Sequence, residues 1–594
     1  MEFDKRTLLA TLLIVVIFFI FTSDFYHSWR YGHLPPAPSD TTGVASPAME
    51  PVMPESLAVG GESRIASGQA SLESLPVETQ LARDIIIETP LYRGVLSTLG
   101  GDIKEWQFKE YSYHNGDPIL LVQNGVNNLS IILPSKFDSL NTSRYNFSCN
   151  DSLVQLAAGE ARTITFEREI APGKLVRKTY SFSGGEYAVG LAITLENVQD
   201  LVDGYHYNLR WQTGLGTTEP NLQNDMTDTK AYTFIGDDLL DLDVSDEAYK
   251  ELKEDERDIS WAAMRTKYFA CALIPESQPA RGVKLSGTTS YVPSADTRLK
   301  SYQIDLKMPL ARQGPTSHQL KVYLGPLEYD TLERLGVERI MNLGWSIIRP
   351  FSWAALKSLQ WLHNFVPNYG LVIVIFSILI KIILHPLTKK SNESMKQMQV
   401  LQPKMKELQE KYSKEPQKLN EEMMKMYREY GVNPLGGCLP MLLQMPLLFA
   451  MFTVFSSTIS FRQAPFFGWI NDLSLPDTIF TLPFSIPFYG NHVALLPLLM
   501  GITMFIQQKM SITDPKQKAM IYVMPIMFTL MFNNFPSGLN LYYALFNVLS
   551  IIQQKYMTKP PEDLEARKKK MKERAELKKG GFHAALSRKR LLKK

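Results

Sequence analysis

Long uncharged apolar runs crowd into residues 370–556, and they decide what this chain can become. A helix needs about 20 apolar residues to cross a bilayer. Five stretches approach that length: 369–385, 438–461, 492–508, 519–535 and 537–554. The last two are separated by Phe535-Pro536-Ser537-Gly538, a link so short that it forces an antiparallel helical hairpin. A sixth run lies near the N-terminus, at 7–23, behind Lys5 and Arg6. No small-x-small cleavage site follows it, so an uncleaved anchor is expected over a signal peptide. The average composition, 45% apolar and 21% charged, hides this segregation, because residues 24–335 are mostly polar and alternating.

The distribution of Lys and Arg orients the spans, since positive loops stay cytoplasmic. The segment 386–437 carries Lys389, Lys390, Lys396, Lys404, Lys406, Lys411, Lys414, Lys418, Lys425 and Arg428. The loop 509–518 carries Lys509, Lys516 and Lys518, and residues 555–594 form a strongly basic tail. The loop 462–491 has one basic residue, Arg462. The alternation places residues 1–6 and the tail in the cytoplasm, and everything between the first two spans outside it.

In that exported part, residues 24–80 are rich in Pro, Ser, Gly and Ala and read as a flexible tether. Residues 81–335 break into short β-type runs bounded by Gly, Pro, Asn and Asp. The runs 162–170 and 175–182 flank Ala171-Pro172-Gly173-Lys174, a hairpin signal, and 187–195 alternates again. A sandwich of twisted antiparallel sheets is the expected fold. The acidic stretch 237–258 reads as a surface excursion. His114, His206 and His318 lack partners at metal-ligand spacing and read as surface polar residues. No nucleophile motif is present, so the domain reads as a binding or spacing module, with no catalytic residue, cofactor or metal expected. The three cysteines, Cys149, Cys271 and Cys438, are too few for a disulfide framework. They read as unpaired, although Cys149 and Cys271 share one domain and could meet.

On the cytoplasmic side, Met395, Met398, Met405, Leu408 and Tyr412 follow helical spacing. Beyond the break at Ser413-Lys414-Glu415-Pro416, Leu419, Met423, Met426 and Tyr430 do the same. Two amphipathic helices make an antiparallel hairpin. It serves as a rigid spacer or, through an adaptable Met-rich seam, as a contact for varied apolar sequences. In the tail, Arg567, Lys568, Lys569, Lys570, Arg588, Lys589 and Arg590 suit a ribosome or an anionic lipid surface, besides fixing topology.

Ionisable and amide groups inside spans are costly and mark function. Ser377, Lys381 and His385 recur at steps of four along the second span. Lys381 lies about 6 Å along the axis from His385, so it either snorkels to the interface or faces a cavity. Asn540, Tyr543 and Asn547 share a face of the sixth span; Gln444 adds an amide to the third, and Thr503 with Gln507 or Gln508 adds more to the fourth. Polar faces on several helices point to a shared hydrated groove. Secondary transport of a small solute, or plain tethering of the β domain, are the other readings of these spans.

Several motifs, in order, resemble the YidC family of membrane protein insertases. They are His385-Pro386-Leu387-Thr388, Leu401-Gln402-Pro403-Lys404, Asn433-Pro434-Leu435-Gly436-Gly437-Cys438, Gln444-Met445-Pro446, Arg462-Gln463-Ala464-Pro465-Phe466 and Phe535-Pro536-Ser537-Gly538-Leu539-Asn540-Leu541-Tyr542-Tyr543. Fainter echoes are Gly100-Gly101-Asp102, Trp261 with Tyr268-Phe269, and Tyr323-Leu324-Gly325-Pro326. The resemblance implies an inner-membrane insertase with a periplasmic β-supersandwich and an amphipathic interfacial helix within 339–365. It also implies a groove open to cytoplasm and lipid, nascent membrane proteins as clients, and action alone or beside a Sec translocon. By the same resemblance Lys381 stands where a groove Arg is usual, Ser377 at a small polar groove position, and Tyr543 at a client-contacting Tyr. Lys keeps the positive charge of that Arg but loses its planar fork.

Overall fold

The computed structural model describes residues 82–557, apart from 136–138, 246, 296, 433–438, 487–488 and 512–517, and scattered positions from 563 to 573. The expected first span, the tether, the Asn433–Cys438 motif and the tail residues Arg567, Lys570, Arg588, Lys589 and Arg590 lie outside the described residues.

The exported domain folds because its strands alternate apolar and polar residues, each burying one face. A five-stranded and a thirteen-stranded sheet result. The expected hairpin is present: Ala161–Ala171 pairs with Lys174–Ser183, closing at Ala171↔Lys174 with Gly173 at φ +73°. Pairing is antiparallel except where Leu153–Gln155 runs parallel to Asp84–Glu88. Trp106, Phe108 and Tyr92 of the smaller sheet and Trp211, Phe166 and Tyr180 of the larger are all fully buried.

One ion pair joins the two sheets. Lys178 is fully buried, and its three ammonium protons go to Asp102 Oδ1, Gly100 O and Leu129 O, each at 2.7 Å. Tyr180 donates to Gly101 O at 2.6 Å. The Gly100-Gly101-Asp102 motif is thus a cradle for a buried cation. Both glycines sit at positive φ, +79° and +62°, which aims their carbonyls at the neighbouring sheet.

Several expectations are corrected. The acidic stretch 237–258 is not an excursion: it contains strand Asp238–Leu242 and the first half of Tyr249–Arg265, whose charges line the solvent face. His318 is fully buried, with Nδ1 2.9 Å from Tyr207 Oη, whereas His114 is on the surface as expected, 3.2 Å from Asp472. Cys149 and Cys271 are unpaired, as expected, and both are buried.

Two short helices close this domain, α1 (Leu222–Asp228) and α2 (Tyr329–Arg334). The expected interfacial helix over 339–365 is shorter, α3 (Arg349–His363). It buries Ala355, Leu356, Leu359 and Leu362 and exposes Phe351, Trp353 and Trp361, an amphipathic division. The helix of the second span does not stop at 385. It continues as α4 (Tyr369–Lys411), one 43-residue helix that runs through Pro386 and Pro403. Each proline forfeits a backbone hydrogen bond. Burial of Met398, Leu401 and Met405 against Leu419, Met423, Met426 and Tyr427 of α5 (Pro416–Glu429) offsets that loss. The helical pair expected over 386–437 is therefore an extension of the second span with one helix folded back along it.

The remaining core helices are α6 (Leu439–Ser457), α7 (Leu495–Ser511), α8 (Lys518–Phe532) and α9 (Ser537–Ile552). α6 stops at Ser457, before a short 3-10 turn at Ile459–Phe461. α7 starts three residues later than the expected span. Within 462–494 lies an unexpected two-stranded ribbon, Thr478–Ile486 paired with Gly490–Ala494. Among the described residues α4 is the one helix that meets a bilayer's length and apolarity by itself.

Candidate functional site: a polar seam between α4, α7 and α9

The end of the core against the β domain is fixed first. Ser537 Oγ and the Ser537 and Gly538 amides bond to Asp472, Leu475 and Leu473 carbonyls, and Asn540 Nδ2 donates to Phe532 O at 3.1 Å and Phe535 O at 3.3 Å. Asn540 therefore ties the α8–α9 turn and does not face the groove expected of it. The loop after α6 is bound to the β domain. Arg462, 8% exposed, donates from Nε to Glu219 Oε1 at 2.7 Å, from Nη1 to Ser112 O at 2.8 Å and from Nη2 to Thr218 O at 3.2 Å.

From there toward the other end, polar groups of α4 and α9 meet in steps. Ser377 is fully buried but turns back on its own helix, donating to Ile373 O at 2.7 Å. One turn later Lys381 crosses to α9: its Nζ donates to Ser550 Oγ at 2.6 Å and sits 4.4 Å from the Phe546 ring centroid. It makes no ion pair among the described residues. One further turn along, Gln553 Nε2 lies 2.8 Å from both His385 Nδ1 and Thr388 Oγ1. α7 joins through Asn547 Nδ2 and Thr503 Oγ1, 3.5 Å apart, and through Gln554 Nε2, which donates to Met510 O at 3.0 Å.

Of the residues expected to form a groove, the structure links Lys381 to α9 and Asn547 to Thr503. Tyr543 is buried edge-on against Phe532, and its hydroxyl has no partner among the described residues. Gln508 Oε1 and the Tyr542 hydroxyl are buried in the same condition. Gln444 is half-buried near the start of α6 and is not hydrogen-bonded to the others. Ser550, Phe546, Gln553, Gln554 and Thr388 were missed. The signal existed: 540, 543, 547, 550 and 554 continue one helical stripe at steps of three and four. Of the tail residues, Lys568 bonds Glu429 at 2.7 Å and Lys569 is exposed.

A β domain seated on a helical core, with a half-buried cation and amides threading apolar helices, defines the class of a membrane protein with a polar interior seam. Residues 84–354 match the YidC periplasmic domain family and residues 361–564 the 60Kd inner membrane protein family. The membrane protein insertase YidC of Prosthecochloris aestuarii is 40% identical over 487 residues, 80% of this chain and 82% of that one. That of Chlorobaculum tepidum is 34% identical over 575 residues, 95% of this chain and 96% of that one. A crystal structure of an active YidC insertase, 17% identical, aligns with 80% of this chain and 92% of that one at a TM-score of 0.34. The chain belongs to the YidC family of membrane protein insertases. It is an inner-membrane protein with a β-rich periplasmic domain and a helical C-terminal core.

Proposed function

We propose that this chain carries out membrane protein insertion by receiving the polar or acidic end of a nascent client at the α4–α7–α9 seam, while the client's apolar segment passes into lipid alongside. Lys381 is the observation that supports this reading. Even a half-buried ammonium among apolar helices normally has a carboxylate partner. Here it has a hydroxyl and an aromatic face, which help hold the charge without cancelling it. Up to two ammonium donors remain for a client carboxylate, and a charge partly shielded from water acts more strongly at short range than one in bulk water. Each unsatisfied backbone group of a translocating tail costs several kcal/mol in hydrocarbon, so a polar seam shortens the costly path.

Ser377, Gln444, Thr503, Gln508, Tyr543 and Asn547 line or border this path in the proposal. Six spans with both termini cytoplasmic, the hairpin of α4 and α5 in the cytoplasm, cooperation with a Sec translocon and ribosome contact through the tail belong to the same proposal. Lys381→Arg, Lys381→Ala and Lys381→Glu are compared in complementation of a depletion strain, with a client bearing an acidic translocated tail. Arg is expected to support growth and insertion, Ala to reduce them and Glu to abolish them. Wild-type insertion by the Glu variant refutes a required cation. Photocrosslinking from positions 381 and 543 to a nascent client tests the path itself.

A further inference from the structure

The ribbon before α7 stands out because nothing in water should favour it. From Thr478 to Gln508 the sequence has no Asp, Glu, Lys or Arg. Within the ribbon Ile479, Phe480, Phe484 and Ile486 are 44%, 52%, 61% and 36% exposed. An isolated two-stranded ribbon is marginal in water, and a soluble one turns a polar face outward. This one exposes apolar side chains at consecutive positions, 479 and 480, so neither face is polar.

Its base is nevertheless held firmly. Asn533, fully buried beyond the C-terminus of α8, donates from Nδ2 to Tyr489 O at 2.8 Å and His492 O at 2.7 Å, and accepts from Ala494 N at 3.0 Å. His492 Nε2 lies 3.0 Å from Asn533 O. Asp477 Oδ2 accepts from Leu495 N and Leu496 N at 3.1 and 2.8 Å, capping α7, and from Trp469 Nε1 at 3.0 Å. The exposed surface is therefore presented by a fixed strut.

We propose that this ribbon is a membrane-interface anchor, lying in the periplasmic leaflet beside α7. Continuity selects the occupant. The ribbon ends at Ala494 and α7 begins at Leu495, and α7 carries on the exposed apolar surface through Leu498, Leu499, Ile502 and Ile506, the surface of a membrane-family helix open to lipid. The depth follows from the backbone. A two-stranded ribbon has two unpaired edges, and unpaired amides are costly in hydrocarbon but not among hydrated headgroups. Aromatic side chains favour that same boundary zone. The ribbon therefore sits shallow, with Phe480 and Phe484 pointing into the upper acyl region.

The test uses the full chain with Phe484→Cys carrying an environment-sensitive fluorophore, reconstituted in phosphatidylethanolamine–phosphatidylglycerol vesicles. Tyr291→Cys, at an exposed strand end of the β domain (58% exposed), is the water-facing reference. Lipid bearing a nitroxide near the headgroup should quench the label at 484 several-fold more than that at 291. A nitroxide deep in the chain should quench it less, and aqueous iodide should quench it several-fold less than at 291. Iodide quenching at 484 equal to that at 291 overturns the proposal. Maleimide protection of 484 in cells that disappears in vesicles of purified protein also overturns it, in favour of a protein partner. Phe480→Cys repeats the measurement should the first variant fold poorly.

Discussion

The buried pair Arg462–Glu219 joins the periplasmic domain to the membrane core, and its removal has a calculable consequence. Both side chains are 2% exposed, and the guanidinium spends three donors on Glu219, Ser112 and Thr218. Arg462→Met leaves a desolvated carboxylate with the Thr218 hydroxyl in place of a cation, and the Thr218 carbonyl without its guanidinium donor, while Ser112 O keeps Gln463 Nε2 at 3.0 Å. Breaking one side of such a pair costs about 3–5 kcal/mol, whereas replacing both sides with apolar residues of like volume is near neutral. At about 1.4 kcal/mol per tenfold, the single replacement corresponds to a roughly 100- to 4,000-fold rise in the open population of this contact. Hydrogen exchange in nanodiscs reads that population. The amides of Arg462, Phe466 and Leu473 are bonded to Ile459 O, Ile470 O and Ala464 O at 2.9, 2.9 and 3.0 Å, and report the loop directly. Their exchange should accelerate by that factor in Arg462→Met and return to within about tenfold of wild type in Arg462→Met/Glu219→Leu. A double variant as fast as the single one refutes the reasoning, because the loss would then be packing and not an orphaned charge.

Two further outcomes follow from single residues. Asp477→Ala removes the cap on the first α7 amides and should cost about 1 kcal/mol, read as faster exchange of Leu495 and Leu496 with α9 unaffected; unchanged protection would show that the cap contributes nothing. Burial holds the His318 imidazole at about 4, below its ordinary 6.5, so the folded domain keeps it neutral while the unfolded chain protonates it. Its contribution is present above pH 6.5 and lost as pH falls toward 4, by about 3 kcal/mol. Asp225, held up at about 6 by burial, opposes this slope between its ordinary 3.8 and 6. The diagnostic is therefore the difference between wild type and His318→Gln in urea unfolding of the full chain, which should narrow by about that amount from pH 7 to pH 4. A constant difference refutes it.

How much was readable in advance depended on the range of the interactions involved. The hairpin at Ala171–Lys174 and the Met seam of α4 and α5 rest on neighbours a few residues apart, and period and turn chemistry disclosed them. The continuity of α4 past 385 was not legible, because Pro386 and Pro403 are locally unfavourable to helix and burial against a helix later in the chain outweighs them. The acidic stretch 237–258 misled in the same way only in part: from Tyr249 it pairs with the distant Ala280–Val292, whereas Asp238–Leu242 folds back on its neighbour Lys230–Ile235. In the seam, Lys381 was visible as a charge in an apolar run. Ser550 and Phe546, which touch it, are more than 160 positions away and became identifiable once α4 and α9 packed together.

The sequence by itself determined that this chain belongs with membranes, because uncharged runs of that length and the asymmetry of Lys and Arg are direct statements about solvent. It also determined the β character of the exported part, through alternation. The tertiary structure decided which polar residues answer one another. Asn540 and Ser377, on polar stripes with the others, are spent on backbone carbonyls, while Lys381 reaches a hydroxyl on a different helix. Periodicity reports the face on which a side chain lies; its partner depends on which helix packs there, and long-range burial sets that.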